Sequence, residues 1–484
     1  MVRSFRVLST VTLVTLVASF SPGHILPSPL PVVSALSAPQ GSITRATAAP
    51  PKSFALHSSV AEVSNGGAAN DNGASIPNEV FNLVKNIVGA GVLSLPAGVA
   101  AFGNHPSALL PAAGLTMFIG ILSAYCFSLI GRVCSMTGAT TYRGCWDKSV
   151  GTTTSWLPAS ACTFKTGVAN VAYSMILADM VKSIAATAGY NLSRSNALFG
   201  ITSTILLPLC LLRDLKSLAP FSLLGIVCMG FTTLAMFVRY IGGQYLVPTG
   251  KFVADLSPNL VPAFGSIGIK GAASPKSAIL LCMLSTAYLA HYNAPKYFAE
   301  LKDNTIPRFN KMITLSFTAV ISIFIAITSI GFLTFGSNSA GLILNNYSTK
   351  DSLATACRIA LAVSIVFSYP LTFVGIREGI FDLSKTDDAD RVKKSTPLSL
   401  GILAVVTCIA LKLKDLSFVL SFGGATLGNS IVFLFPSIMF GAAVKKLGRK
   451  DLEGEVKVTK AVGALGVLMG IIGGFQAIKG LGGH

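Results

Sequence analysis

From Pro77 onward the chain alternates apolar runs of about twenty residues with short polar, mostly basic connections. A hydrocarbon layer about 30 Å thick takes roughly twenty residues of α-helix to cross. No water reaches the peptide groups inside it, so a run of that length must satisfy its own amides as a helix. The pattern predicts eleven spans: Glu79–Phe102, Ser107–Arg132, Phe164–Ala188, Asn196–Leu212, Leu218–Tyr240, Pro275–Phe298, Lys311–Phe335, Leu353–Ile376, Pro397–Leu413, Ser417–Ala443 and Thr459–Ile478. Together they make residues 77–484 one all-α polytopic membrane domain.

The leading residues follow a different grammar. Residues 1–35 read as signal-peptide-like: Arg3 and Arg6 precede an apolar run from Val7 to Phe20, and small residues follow at Ser34-Ala35. Residues 36–76 are rich in Ala, Ser, Thr and Pro, with Arg45 and Lys52 and little acid. Such a stretch lacks the apolar surface to fold and reads as disordered, in the manner of a plastid transit segment. The string Ser34-Ala35-Leu36-Ser37-Ala38-Pro39 resembles the cleavage motif of a two-part plastid address, with Leu36 where that motif has Phe. A plastid envelope is thus one expected destination; an endomembrane, a vacuolar membrane or the plasma membrane are the others.

Composition narrows the class. Charged residues are 12% of the chain, about half the usual share of a globular protein, and apolar residues are 52%. Nine cysteines in 484 residues do not make a disulfide scaffold. The net charge of +18 sits in connections between apolar runs, where it sets topology rather than binding nucleic acid. Basic residues favour the side on which the first helix begins by roughly two to one, the mark of a cytosol-like face. Two sequons, Asn191-Leu192-Ser193 and Asn346-Tyr347-Ser348, fall on the opposite side. A secretory signal would reverse that orientation, and passage through a second compartment removes the conflict.

Candidate chemistry concentrates in the first run. Gly89-Ala90-Gly91 and Pro96 stand in the middle of Asn78–Gly103, where a plain anchor would keep its helical ladder whole. Interrupted helices at mid-membrane offer N–H groups to a carboxylate and freed carbonyls to a cation or ammonium. An amino acid carries both groups on one carbon. The sixth run gathers Ser285, Thr286, Tyr288, His291 and Asn293 and then Pro295, a second candidate interruption five helices on. Lys85, Asp179 and Lys182 are charges inside predicted spans, each needing a partner or a wet cavity. For Asp179 and Lys182 the first reading is an ion pair with each other. Trp146 and Trp156 are expected in the headgroup belt, and Cys145 and Cys162 share one connection.

The strings "NLVKNIVGAGVLSLP", "AYLAHYNAPKYFAELKD", "GFLTFGSNSAGLILNNYS", "SYPLTFVGIREGI" and "GGATLGNSIVFLFPS" occur in this order between Glu79 and Ala443. They resemble the first, sixth, seventh, eighth and tenth helices of the amino acid/auxin permease family, within the amino acid–polyamine–organocation superfamily. That resemblance implies the leucine-transporter fold: a 5+5 inverted repeat with interrupted helices 1 and 6, plus an eleventh helix, working by alternating access. Gly89, Ala90, Gly91, Tyr173, Ser285, Thr286, Tyr288 and Thr426 are the candidate substrate-binding residues, with Asn170 and Ser174 as further wall candidates. Lys85, Asn86, His291, Ser364 and Ser368 are the candidates for ion or proton coupling. The sodium-coupled branch carries Asn where Lys85 stands, which favours protons and leaves sodium as the alternative. The expected function is secondary active transport of small or neutral amino acids by symport. A transport-fold amino acid sensor is a second reading, and a membrane enzyme, which would need paired catalytic groups, a third. With neither a phosphate-binding loop nor a metal-spaced cluster in the sequence, no cofactor is expected. The partners are an amino acid and the lipid bilayer; the oligomeric state stays open.

Overall fold

The computed structural model describes residues 73–212 and 222–481. The expectations for residues 1–35, and for 36–76 except its last four residues, lie outside the described residues. The described residues are helical throughout, with two isolated β-bridges, Ala74 to Leu301 and Ala263 to Gly336. Eight helices among them are long and apolar enough to cross a membrane, and one bent pair makes a ninth span.

That pair is α1 (Ile76–Ile87) and α2 (Leu95–Ala100), joined by a 3₁₀ turn at Ala90–Ser94 and bent by 47°. Ser75 caps α1 by accepting from the Asn78 amide, and Pro77 occupies the first turn, where its missing N–H costs nothing. Pro96 does the same for α2. It starts the second half-helix rather than breaking a continuous one. After α3 (Leu109–Thr137) comes the short α4 (Tyr142–Ser149), then α5 (Trp156–Thr187), which begins eight residues before the expected Phe164. The fourth expected span is divided into α6 (Arg194–Ile201), a π turn at Thr202–Leu206 and α7 (Leu207–Cys210). Next are α8 (Ser222–Ile241) and the second divided segment, α9 (Ser277–Ala287), a 3₁₀ turn at His291–Asn293 and α10 (Ala294–Glu300). The long α11 (Ile306–Phe335), α12 (Ser352–Leu383) and α13 (Asp388–Lys412) follow. Two π turns separate α14 (Leu416–Gly423) from α15 (Phe435–Lys446), and α16 (Glu453–Leu481) closes the described chain.

Lipid tails are as apolar as leucine, so helix contact must come from close packing and polar links. The main pairings are α12 with α5 and α8, and α11 with α3 and α1. In a third group α16 lies against α15, α14 and α9. Glycine permits the closest approaches: a Cβ on Gly424 would lie 1.9 Å from the Cys282 carbonyl oxygen of α9. Phe127, Phe309, Phe317 and Phe324 fill the seam of α3 with α11, all buried.

Polar links pin the two membrane faces. On the far face, opposite the start of α1, Asp351 caps α12 by accepting from the Leu353 and Ala354 amides. It also accepts from Arg239 at 2.7 Å and from the Tyr245 hydroxyl at 3.0 Å. Burial pushes its carboxyl up, but the Arg239, Ala354 and Tyr245 bonds outweigh that and hold it below the usual 3.8. Arg358, 1% exposed, donates to the carbonyls of Leu344, Tyr347 and Ser348. The same linker holds Asn346, whose side chain accepts from the Ala340 amide and donates to the Asn338 carbonyl. Its sequon is therefore structural, whereas Asn191 is exposed. On the near face Arg132 of α3 grips Glu455 of α16 with two bonds, the second 2.7 Å long.

Several expected pairings change. Asp179 binds Arg194 at 2.9 Å and Asn345 at 3.0 Å, while Lys182 is exposed; neighbours in space displaced the neighbour in sequence. Trp146 is 3% exposed, donating to Thr154 and set edge-on to Phe435, so only Trp156 keeps a lipid-facing position. Cys145, which shares a connection with Cys162 in the sequence, lies 3.4 Å from Cys134, sulfur to sulfur.

Candidate functional site

The first interruption leaves backbone polarity without side chains around it. The last bond of α1 runs from the Val88 amide to the Val84 carbonyl, and the ladder resumes at Val92, which donates to the Gly89 carbonyl. Between them the amides of Gly89, Ala90 and Gly91 have no backbone acceptor among the described residues, as at any helix N-terminus. A Cβ on Gly89 or Gly91 would meet no heavy atom within 4 Å. The broken backbone thus opens on a hollow. Lys85 lies in the last turn before it, half-buried, and Asn86 is accessible beside it.

The second interruption is built differently. Tyr288, Ala290 and His291 are each 0% exposed. Tyr288 donates to the Thr116 carbonyl of α3 at 3.1 Å and packs on Phe317 and Phe324. His291 Nε2 bonds the Ser123 carbonyl of the same helix at 2.9 Å, so that nitrogen carries a proton and the ring is held edge-on to Phe127. Ser285 donates to the Leu281 carbonyl of its own helix, and Thr286 reaches across to the Leu420 carbonyl of α14 at 2.8 Å. These side chains clamp the second break to α3 and α14. Tyr292 turns elsewhere.

Tyr292 meets Lys165 of α5, whose ammonium lies 3.1 Å from the phenol oxygen and 4.5 Å from the ring centre. Tyr173, two turns along α5, is within electrostatic range of both. Sequence reading missed Lys165 because the apolar window was placed to begin at Phe164, one residue earlier. A cation nine residues inside α5 was the available signal. Further along, Asn170 links to Thr372 and Ser174 to Tyr369, tying α5 to α12.

The remaining candidates scatter. Ser364 faces Gly225 of α8, 3.2 Å from where its Cβ would be, and Ser368 donates back to the Ser364 carbonyl. Thr426 donates to the Phe422 carbonyl. It lines a cleft of about 290 Å³ against α16, with Asn429 and Ser430. The structure therefore groups Gly89, Ala90 and Gly91 at one break and Ser285, Thr286, Tyr288 and His291 at the other, with Tyr173 on α5 near the Lys165–Tyr292 pair. Ser364 and Ser368 belong to the α12–α8 seam, and Thr426 to the α16 cleft.

A family model described as "transmembrane amino acid transporter protein" matches residues 72–476. The chain belongs to this family. Among its relatives is a putative sodium-coupled neutral amino acid transporter 11 from Bos taurus, 25% identical over 75% of this chain and 74% of that one. Amino acid transporter AVT6E of Arabidopsis thaliana is 24% identical over 77% of each. A solved structure of Mhp1 in an inward-facing conformation covers 84% of this chain and 89% of its own, with a TM-score of 0.52 and 10% identity, and so supports the fold alone. Family membership makes the chain an integral, multi-pass membrane protein of amino acid transport, in line with a transporter rather than an enzyme.

Proposed function

We propose that this family member is a secondary active transporter that moves small, neutral amino acids by alternating access, coupled to protons. Its plan would be eleven helices in a 5+5 inverted repeat, the two interrupted segments standing in equivalent places. The observation that carries the proposal is the first break: three successive amides without a backbone acceptor among the described residues, with open space beside Gly89 and Gly91. A substrate carboxylate meets the Gly89, Ala90 and Gly91 amides, where the dipole of α2 adds to their attraction. The ammonium meets carbonyls freed at the two breaks. Bare glycine walls suit a short side chain.

Lys85 supports protons as the coupling ion, since an ammonium repels a metal cation from that end of α1. The serines that would complete a sodium cage are engaged elsewhere, Ser364 against α8 and Ser368 on its own helix. Sodium coupling is the second reading, favoured by the name of the mammalian relatives. Uptake of labelled amino acids into proteoliposomes, with pH and sodium gradients imposed separately, tests both. Accumulation that follows sodium and ignores pH overturns proton coupling; no uptake of any amino acid overturns the substrate class. From the leading residues we also propose a plastid envelope as the membrane, and a fluorescent fusion found elsewhere would overturn it.

A further inference from the structure

The half-helix α1 carries an acid that the site described above does not use. Glu79, in its first turn, is 1% exposed, and its Oε2 has no hydrogen-bond partner. It lies at the joint where α1 meets α10. The Asn82 side chain reaches the Glu79 carboxyl, and Glu300 and Lys296 of α10 face it. Glu300 and Lys296 are themselves half exposed and 3.8 Å apart. Of the other helices packed on α1, α11 starts on the same face and carries Arg308 and Lys311 in its first turns, Arg308 donating to the Lys302 carbonyl, and α8 has no charge before Arg239 at its far end. Buried charge that is not ion-paired is costly, and a second carboxylate nearby adds to the cost. With 1% of the residue exposed and Oε2 unpartnered, the joint as it stands favours the neutral acid over the carboxylate.

The joint is also a seam that must part for the near face to open. Just before α1, the Ala74 amide donates to the Glu300 carbonyl at 2.8 Å, and the Lys302 amide donates to the Ala74 carbonyl at 2.9 Å. Tyr297 of α10 donates to the Asn82 carbonyl at 3.2 Å. Parting this seam would bring water to Glu79, where the ionised form is cheap.

A path from the hollow to Glu79 runs along one face of α1. Glu79, Asn82 and Asn86 follow at intervals of three and four, so they share that face, and Gly89 stands just past the end of the helix. Asn86 is accessible, and its side chain reaches the Tyr297 hydroxyl, which lies within electrostatic range of Glu79. In this state the Tyr297 hydroxyl gives its proton to the Asn82 carbonyl; turned to the Glu79 carboxyl instead, the phenol would give a proton there while accepting one from water of the hollow.

Resting on the proton-coupled reading above, we propose that Glu79 is the coupling residue: it takes a proton from the hollow through Tyr297 while the seam is shut and releases it to near-face water when the seam parts. One proton moves per cycle, from the water of the hollow to the carboxylate and from the carboxylic acid to the near face. No redox partner is needed. The ionised carboxylate is costly in the shut seam, which draws the proton from the hollow, and the proton can leave only when the seam parts, so substrate and proton cross together.

The test uses the full chain in proteoliposomes and an equimolar mixture of the twenty labelled amino acids as probe. An outside-acid gradient of about one unit supports roughly tenfold accumulation per coupled proton. Wild type is expected to accumulate label under that gradient. Glu79→Gln is expected to exchange label across the membrane but to lose the accumulation, and Glu79→Asp to restore part of it. Tyr297→Phe, which keeps the ring packing, is expected to lower the gradient-driven initial rate about tenfold with exchange retained; it carries the test alone if the Gln variant does not fold. Undiminished gradient-driven accumulation in Glu79→Gln, or in Tyr297→Phe where that variant carries the test, overturns the inference and leaves proton coupling standing. If wild type follows sodium alone, proton coupling itself falls, and this inference with it.

Discussion

The two interrupted segments look alike on paper and differ in the folded chain. Each has a half-helix, a short 3₁₀ turn and a second half-helix that starts on a proline, Pro96 in one and Pro295 in the other. Around the first break the residues are glycines with open space beside them. Around the second, Tyr288 and His291 turn into α3 and are sealed there. The first joint presents bare backbone to open space, and the second is held fast by α3. Small residues and polar residues in a transmembrane helix thus break it in two ways, one leaving the backbone open and one clamping it.

The sharpest way to break this contrast is to fill the hollow. Gly91→Leu is expected to cut uptake on the order of 100-fold, while thermal stability of the purified protein stays within about 1 kcal/mol, because a Cβ at this position meets no neighbour within 4 Å. Normal transport by that variant would remove the first break from the site. At the second joint the balance should reverse. Tyr288→Ala is expected to cost about 3–5 kcal/mol of stability, read as a lowered melting temperature, with transport per folded molecule much less affected. A stable variant that no longer transports would mean the tyrosine touches substrate.

Smaller perturbations sharpen the same division. Gly424→Ala drives a methyl into the Cys282 carbonyl of α9 and should destabilise by roughly 1–3 kcal/mol, measurable by thermal shift. Tyr288→Phe removes one hydrogen bond and should cost about 1 kcal/mol. The far-face lock is a control remote from both joints. Asp351 has its carboxyl held below 3.8, so its contribution is complete above the unfolded value near 3.9. That contribution is lost as pH falls through the folded value. Asp351 should therefore add no pH dependence to stability between about pH 5 and 8, which a melting series in wild type and Asp351→Asn would check: the difference between the two should be flat across that range and shrink only in acid.

Much of the architecture was legible in the chain because a membrane leaves few choices. Apolar length dictates a helix, and the Gly89-Ala90-Gly91 break stood out because nothing else explains three small residues at mid-span. Boundaries were less legible. α5 begins at Trp156 rather than Phe164, because the Pro, Ser and Thr of residues 156–163 interrupt the apolar pattern without stopping the helix. Partners were the least legible of all. Asp179 found Arg194 and Asn345 rather than Lys182, Trp146 is buried rather than lipid-facing, and Asn346 serves as a structural link rather than an acceptor for sugar.

What the sequence decided by itself was the class of object: a helical membrane domain with two weakened helices, because hydrocarbon forbids unpaired amides and glycine and proline loosen the ladder that pairs them. The tertiary structure decided which weakened helix faces open space and which is clamped. It also brought Lys165 to Tyr292 and set Glu79 against α10. The reason is geometric. A side chain's chemistry is written in its own residue, but its partner comes from a helix often a hundred or more positions away, and which face of a helix turns inward is fixed only when the others have packed around it.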